Sequence, residues 1–502
     1  MTDRRYVAGL DVGTTGCKIA VFDDLGENVK TYYTEYDASH TGGLHEISFC
    51  DVRCGVISLL SDAAKDYKIE ALGVTSFGET FAMLDGDDNV LCPSMLYTDP
   101  RGKDQCRRLE NAVGTEKMTL LTGVKPNEMY SISKIMWLKE ERPEVYAKCE
   151  KILLGEDFIV YTLCGKRQID HSLAARTGAF DIKNKEWSRE IFNAAGVDVS
   201  LMSDVVEAGT VAGKLTENVK NQISIDYDIT IVNGSHDQVT AMIGAGVFEK
   251  GTAMDGTGTV ECIPVVFDEI PQDLSVYEGG YSVVPFINGK YACYALSFTG
   301  GATLKWFRDN LAADEYAKCC EVGENVYAHL DSKVPSEPTD ILILPHFAGA
   351  ATPYMDTSSK AAFVGITLET TKYDLYKALM EGTSYEILLN FNTLKGFIGE
   401  VKEIRATGGG ASSPVWLQIK ADILSTKICA MSCKEVGAAG TAALAGVSCG
   451  IYKDLSSAIS LLSRVSKEYL PNAENARIYA LQYEKYKDLY RAVSSLGKGE
   501  TK

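Results

Sequence analysis

Apolar residues in this chain fall in short runs separated by polar, glycine-bearing turns. Near the N-terminus the run Tyr6–Leu10 leads into Asp11-Val12-Gly13-Thr14-Thr15-Gly16, and a second run, Cys17–Phe22, follows. Asp24-Leu25-Gly26-Glu27 supplies the next turn. Around residue 255 the pattern recurs as Thr252–Met254, Asp255-Gly256-Thr257-Gly258-Thr259 and Val260–Phe267. Each copy reads as a strand, a tight polar turn and a returning strand. The two aspartates are 244 positions apart in a chain of 502 residues, which predicts two similar halves, each opened by such a hairpin.

Between and beyond these hairpins the chain alternates strand and helix, as an α/β protein does. Ile229–Val232 is a β-branched run, followed by Asn233-Gly234-Ser235 and by Asp237 at the N-cap or first turn of a helix reaching Ala245. Val283–Ile287 and Tyr291–Phe298 flank Asn288-Gly289, a pair suited to a type I′ hairpin turn. Ile341–Leu344 reads as a buried strand, and Val401–Ala406 as a strand before Gly408-Gly409-Gly410 and a helix over Pro414–Leu424. From Asn475 the tail is helical, with Tyr479, Tyr483, Tyr486, Tyr490 and Val493 on one packing face. The boundary between halves falls at Val247–Lys250, giving an N-terminal domain over 1–247 and a C-terminal domain over 248–502.

A formal net charge of −18 disfavours a nucleic-acid or anionic-lipid partner. A nucleotide is not excluded, because backbone amides and helix N-termini supply local positive potential. No run approaches the roughly 18 apolar residues of a membrane span, and the N-terminal residues lack a signal-peptide pattern. The 14 cysteines include Cys50/Cys54, Cys429/Cys433 and the adjacent Cys319-Cys320, with no second pair or histidine doublet at zinc spacing. Reduced thiols and a cytoplasmic location are the expectation.

Asp11-Val12-Gly13-Thr14-Thr15-Gly16 has the chemistry of a phosphate cradle. Its glycines allow close backbone approach, and Thr14 and Thr15 offer hydroxyl donors. Asp11 could hold Mg²⁺ directly or through water, and Lys18 could reach a phosphate. A plain hairpin turn explains the same residues. A P-loop is disfavoured by the absence of GxxxxGK[ST], and a Rossmann site by the absence of GxGxxG after a strand.

The first turn resembles the first phosphate loop of the actin, heat-shock ATPase and sugar kinase superfamily, and Asp255–Thr259 resembles the second. Met129-x-Ser131-x-x-Lys134-Ile135-x-Trp137-Leu138 is similar to the N-terminal signature of the FGGY carbohydrate kinases. Ala361-x-Phe363-x-Gly365-Ile366, followed by Asp374-Leu375-x-x-Ala378 and Glu381, resembles their C-terminal signature, with Leu379 a departure. The resemblance runs from residue 7 to about residue 446.

It implies two ribonuclease H-like α/β domains flanking a catalytic cleft, with ATP and Mg²⁺ as cofactors and a small sugar or polyol as substrate. Gly234-Ser235-His236-Asp237-Gln238 resembles the catalytic segment, which makes Asp237 the general base and a metal neighbour with Asp11, and Gln238 a substrate contact. Placed at a helix start, Asp237 is expected to stay ionised near neutral pH. His236 is open between substrate contact and local packing. The nucleotide side is implied to include Gly13, Thr14, Thr15, Lys18, Gly256, Thr257, Gly301, Gly408, Gly409 and Ser413. Trp416 and Gln418 are read as structural. The sugar side is implied to include Gly78, Glu79, Asp99 and Arg101, where a carboxylate–arginine pair can bind vicinal hydroxyls.

The acceptor is expected to be a pentulose, as in xylulose kinases, with L-fuculose, gluconate, glycerol and erythritol as alternatives. Xylulose kinases usually carry Met-His where this chain has Gly78-Glu79, and glycerol kinases carry Arg-Glu. Phe77-Gly78 and His236-Asp237 lean toward fuculose-type kinases. Tyr97 stands where many members have tryptophan, and the segment Pro345–Ala350 lacks a Glu-Arg common in pentulose and gluconate kinases. An actin-like ATPase and a non-catalytic sugar sensor are the rival classes, and a homodimer is left open.

Overall fold

Two mixed β-sheets with the same central strand order organise the chain, as seen in a computed structural model describing residues 4–497. The first sheet contains β1 (Tyr6–Val12), β2 (Gly16–Asp23), β3 (Asn28–Glu35), β4 (Ile69–Ser76), β5 (Val211–Lys214) and β6 (Thr230–His236), in the order β5-β6-β4-β1-β2-β3. The second contains β7 (Thr252–Thr257), β8 (Glu261–Phe267), β9 (Ser282–Pro285), β10 (Tyr291–Ser297), β11 (Glu403–Thr407), β12 (Lys427–Met431) and β13 (Val465–Tyr469), in the order β9-β10-β8-β7-β11-β12-β13. In the first, β1, β2 and β3 are antiparallel, and β1, β4 and β6 are parallel. In the second, β7, β8 and β10 are antiparallel, and β7, β11 and β12 are parallel. The chain is therefore a two-domain α/β protein, with the two similar halves that the sequence echo predicts and the ribonuclease H-like topology that the family resemblance implies.

The strand sequences follow their positions. Val7, Ala8, Leu10 and Val12 of central β1 are buried, so the strand reads as a nearly continuous apolar run. Edge strand β3 instead alternates exposed and half-buried residues.

The helices that position the site are α1 (Ser131–Glu141), α2 (His171–Ala175), α3 (Asp237–Ala245), α4 (Gly301–Leu311), α5 (Ala313–Val322), α6 (Val326–Asp331), α7 (Lys372–Ile398), α8 (Pro414–Leu424), α9 (Val436–Ser448), α10 (Ala473–Tyr486) and α11 (Leu489–Gly497). Helix α9, from the C-terminal half, lies on the first sheet and on α3. A Cβ on Gly244 would fall 1.8 Å from the Val436 carbonyl, and one on Gly440 would fall 2.1 Å from the Thr240 carbonyl. Only glycine permits this approach of α3 to α9.

Several expectations shift in detail. Strand β6 continues past Val232 to His236, because Asn233 and His236 pair with Val74 and Ser76 of β4. The second hairpin turns later than predicted: β7 pairs Asp255 with Ala406 and Gly256 with Thr407, so Asp255 stays extended inside the strand. Asn288 (φ 58°) and Gly289 (φ 72°) form the predicted turn, closed by a Lys290 N–H to Ile287 O bond of 3.2 Å. Helix α8 spans Pro414–Leu424 as read, and the helical tail consists of α10 and α11. Its tyrosine face packs on α7, where Tyr479 donates to Glu381 (2.8 Å) and Tyr486 to Glu386.

Candidate active site

Asp237 opens α3 directly after β6, and His236 is its N-cap residue. The Asp237 side chain is 33% exposed, and His236 Nε2 lies 3.2 Å from its Oδ1 without hydrogen-bond geometry. Oδ1 has no hydrogen-bond partner among the described residues. Desolvation, reinforced by the charges of Asp11 and Glu79, pushes the Asp237 carboxyl up to about 7. This corrects the expectation of a firmly ionised group, because burial and like charges outweigh the helix start. Burial beside Arg176 holds His236 well below the usual imidazole range, so its ring is neutral. Its Nδ1 is 3.5 Å from the hydroxyl of Tyr294, on β10 of the other half.

Asp11, half-buried near the end of β1, sits opposite Lys18, and burial raises its carboxyl too. A Cβ on Gly437, in the first turn of α9, would lie 3.4 Å from Asp11 Oδ2. Lys18 is bound at 2.7 Å by Glu435, the N-cap residue of α9, so its charge is already engaged. The Gly13–Gly16 turn is closed by a 2.9 Å backbone bond, and Tyr36 donates to the Gly13 carbonyl at 2.6 Å. Thr15 is exposed and Thr14 half-buried at its tip.

On the second hairpin, Asp255 is turned inward. Lys420 of α8 donates to Asp255, to Thr257 Oγ1 (2.8 Å) and to Glu261 (2.7 Å), and Thr257 also donates to Asp255 and Glu261. Burial pushes the Glu261 carboxyl up to about 7 against the pull of Lys420. Removing Lys420 would strand buried carboxylates at a cost of about 3–5 kcal/mol. What this hairpin offers a ligand is therefore backbone. Gly256 pairs into the ladder, Gly301 N–H donates to the Gly258 carbonyl (2.8 Å), and Gly408 stacks on Thr257. A Cβ on Gly408 would lie 2.6 Å from the Thr257 carbonyl, and one on Gly410 would lie 2.6 Å from Thr257 Cβ, while Gly409 is left open beside them. Ser413 caps α8 and donates to Asp331 at 2.7 Å, which leaves its hydroxyl in a structural role.

Glu79 is buried in a left-handed conformation (φ 64°), and its carboxylate is held by Arg176, with Nε at 2.6 Å. Arg176 follows α2 and packs over the Tyr130 ring at 5.2 Å. Burial opposes its charge, but Glu79 more than restores it, so the guanidinium stays protonated. Its Nη1 is buried without a hydrogen-bond partner among the described residues. Gly78 fits between Arg176 and His236, where a Cβ would meet atoms at 3.0 and 3.2 Å. The charges of Glu79 and Asp237 both act on Tyr97, whose hydroxyl is raised chiefly by burial. Asp99 and Arg101, by contrast, satisfy one another through two bonds of 2.8 Å, and Arg101 also donates to Glu46. Lys134 of α1 donates to the Asp99 carbonyl at 2.7 Å. This cluster shapes the loop bearing Tyr97. Gln238 lies beside Asp237 with no side-chain hydrogen bond among the described residues.

The structure thus brings Asp11, Gly78, Glu79, Asp237 and Gln238 together. Asp99, Arg101, Asp255 and Ser413 are engaged as supports. Arg176, Glu435, Tyr294 and Lys420 escaped the sequence reading, because each reaches the site through a tertiary contact that local spacing does not show.

Comparison with known proteins decides the affiliation. The family model for the N-terminal domain of the FGGY carbohydrate kinases matches residues 6–244, and that for the C-terminal domain matches residues 261–449. The chain belongs to the FGGY family of carbohydrate kinases. A xylulose kinase of Staphylococcus xylosus is 26% identical over 493 residues, covering 97% of this chain and 99% of that protein. The crystal structure of a gluconate kinase from Lactobacillus acidophilus matches with a TM-score of 0.88 at 24% identity, covering 99% of each chain. A ligand-bound xylulose kinase from the same species matches at 0.87, with 24% identity and 98% of each chain covered.

The residues of this FGGY kinase fit a divalent cation and a nucleotide. Asp11 and Asp237 are neighbouring carboxylates, each raised chiefly by burial, with the charge of Asp11 adding to the effect on Asp237, and the backbone at Gly409 is open beside Gly408. A groove of about 920 Å³ lined by Arg53, Phe158, Tyr161 and Thr216 contains none of these residues. Among the described residues no helix is long and apolar enough to cross a membrane.

Proposed function

We propose that this kinase transfers the γ-phosphoryl group of ATP to a hydroxyl of a pentulose of the xylulose type, with Asp237 as the general base. The observation that carries the reading is the partnerless Oδ1 of Asp237, held near neutrality where β6 enters α3 and beside Asp11. A base tuned to about 7 accepts the sugar hydroxyl proton at Oδ1 as that oxygen attacks the terminal phosphorus and ADP departs. The raised carboxyl lets the proton be taken and later released near neutral pH.

Asp11 and Asp237 would hold Mg²⁺, which when bound neutralises phosphate charge. Gly13, Thr14 and Thr15 of the first hairpin and the backbone of Gly256 and Thr257 in the second would line the phosphates. Gly301, Gly408 and Gly409 would face the nucleoside. Neutral His236 keeps a positive charge away from the base, and its ring meets the Tyr294 hydroxyl across the cleft. Glu79 and Arg176 give the sugar an acceptor and a free donor fixed at adjacent positions, the arrangement that vicinal hydroxyls require.

The xylulose-type assignment rests on the xylulose kinases among the relatives, such as that of Staphylococcus xylosus. D-xylulose, L-xylulose, L-fuculose, ribulose, gluconate, glycerol and erythritol, each with ATP and Mg²⁺, test it by ADP release and product mass. The highest kcat/KM is expected with a xylulose. A preference for gluconate or glycerol would replace the substrate and keep the base. ATP consumption indifferent to every acceptor would overturn the reading.

A further inference from the structure

Helices α5 and α6 form a short hairpin joined by Gly323, Glu324 and Asn325, and it gathers three metal-ligating side chains of different kinds. The Cys319 sulfur, a Glu324 carboxylate oxygen and a His329 ring nitrogen all lie within 4.8 Å of one another. Each is placed by backbone. Glu324 N–H bonds the Cys319 carbonyl at 2.9 Å, and Gly323 takes the left-handed turn (φ 71°) that reverses the chain. Asn325 caps α6 by accepting from Tyr327 and Ala328 N–H, which fixes His329 one turn into the helix. Cys319 is buried, His329 half-buried and Glu324 exposed, so the cluster opens to solvent on one side. None of the three ligand groups makes a hydrogen bond to another described residue. Glu315, one turn before Cys319, places an oxygen 3.8 Å from His329 Nε2 and is itself held by Tyr373 at 2.6 Å. Lys372 also holds Glu315 at 2.7 Å, so this carboxylate lies near the imidazole without a hydrogen bond to it.

We propose that Cys319, Glu324 and His329 form a binding site for a zinc-type divalent cation that clamps α5 to α6. A thiolate, an imidazole and a carboxylate match the preferences of Zn²⁺, with solvent as the fourth ligand. Mg²⁺ and Ca²⁺ are disfavoured by the sulfur. The thiolate and Glu324 together balance the two positive charges, and binding releases the thiol proton to solvent. The spacing Cys-x4-Glu-x4-His contains neither a cysteine pair nor a histidine doublet, which is why cysteine arithmetic passes over it. Helix α6 ends at Asp331, which accepts from Ser413 at 2.7 Å and Tyr376 at 3.1 Å, so the clamp steadies the start of α8.

The test uses the full chain, purified reduced and metal-free, with Zn²⁺ and Co²⁺ added alone. One equivalent is expected to bind, to give a sulfur-to-cobalt absorption band, and to raise Tm by a few degrees. Cys319→Ser should abolish the band, His329→Ala should abolish tight binding, and Cys320→Ser should change neither. Because Cys319→Ser removes a buried group, Glu324→Gln at an exposed position is the folding-neutral check. It should weaken Zn²⁺ by about 10–100-fold with an unchanged metal-free Tm. Failure to bind one equivalent, a band that survives Cys319→Ser, or unaltered affinity in Glu324→Gln would each overturn the proposal.

Discussion

Lys18 on β2 grips Glu435 at the start of α9 at 2.7 Å, joining residues 417 positions apart beside Asp11. Both side chains are about 30% exposed, so the pair contributes no more than about 1 kcal/mol to stability. Lys18→Met should leave Tm within a few degrees of the parent while raising the KM for ATP more than it lowers kcat. Unchanged ATP kinetics would show that Lys18 serves Glu435 alone.

Asp237→Asn should lower kcat by about 10²–10⁴-fold and leave the far-ultraviolet dichroism unchanged. Near-normal turnover would remove Asp237 from the chemistry.

The pH dependence follows from the carboxyl held at about 7. In the free enzyme kcat/KM should rise with pH through about 7 and then level, because the base works only without its proton. The sign for stability is opposite. A carboxyl raised from 3.8 binds its proton more tightly when folded, so its contribution is full below about 4 and is lost as pH rises through about 7. Urea titrations of Asp237→Asn should lack that decline. A kcat/KM profile flat between pH 5 and 8 would contradict the tuning.

Arg176→Met leaves Glu79 buried without its partner and should cost about 3–5 kcal/mol in denaturant unfolding. Adding Glu79→Gln should recover much of that loss, because both buried charges are then gone. The double variant should regain stability but not sugar affinity, read as KM for the acceptor. Additive losses would mean that the two side chains act independently.

Gly408→Ala places a Cβ 2.6 Å from the Thr257 carbonyl at a backbone φ of 77°. The expected outcome is weaker ATP binding by calorimetry, with the sugar KM little changed. Gly409→Ala meets no protein atom closer than 4.0 Å, so it should leave Tm unchanged while its methyl, facing the nucleoside, weakens ATP binding.

How much of this was legible beforehand depended on whether a residue's partner lies nearby in sequence. The Asp11 and Asp255 hairpins, the Asn288-Gly289 turn and helix 414–424 were readable, because local pattern and turn chemistry set them. The extension of β6 through Asn233-Gly234-Ser235 was not. Those turn-forming residues are overridden by pairing with β4, 160 residues upstream in the Thr75–Ser235 contact. At the site, motif residues such as Asp237 and Glu79 could be named in advance. Whether a carboxylate was free or spent could not: Asp255 is consumed by Lys420 and Asp99 by Arg101, through tertiary contacts. The pKa of Asp237 was misjudged for the same reason, since its burial, and then the approach of Asp11 and Glu79, come only with folding.

The glycine seam between α3 and α9 limits how the two lobes can move. With helix backbones in direct contact at Gly244 and Gly440, any translation along the joint meets carbonyl oxygens and the Thr240 methyl at once. The joint can act as an axle, turning one lobe against the other while the distance at its centre stays fixed. Opening and shutting of the cleft should therefore be a rotation whose amplitude grows toward the rims, where substrates enter.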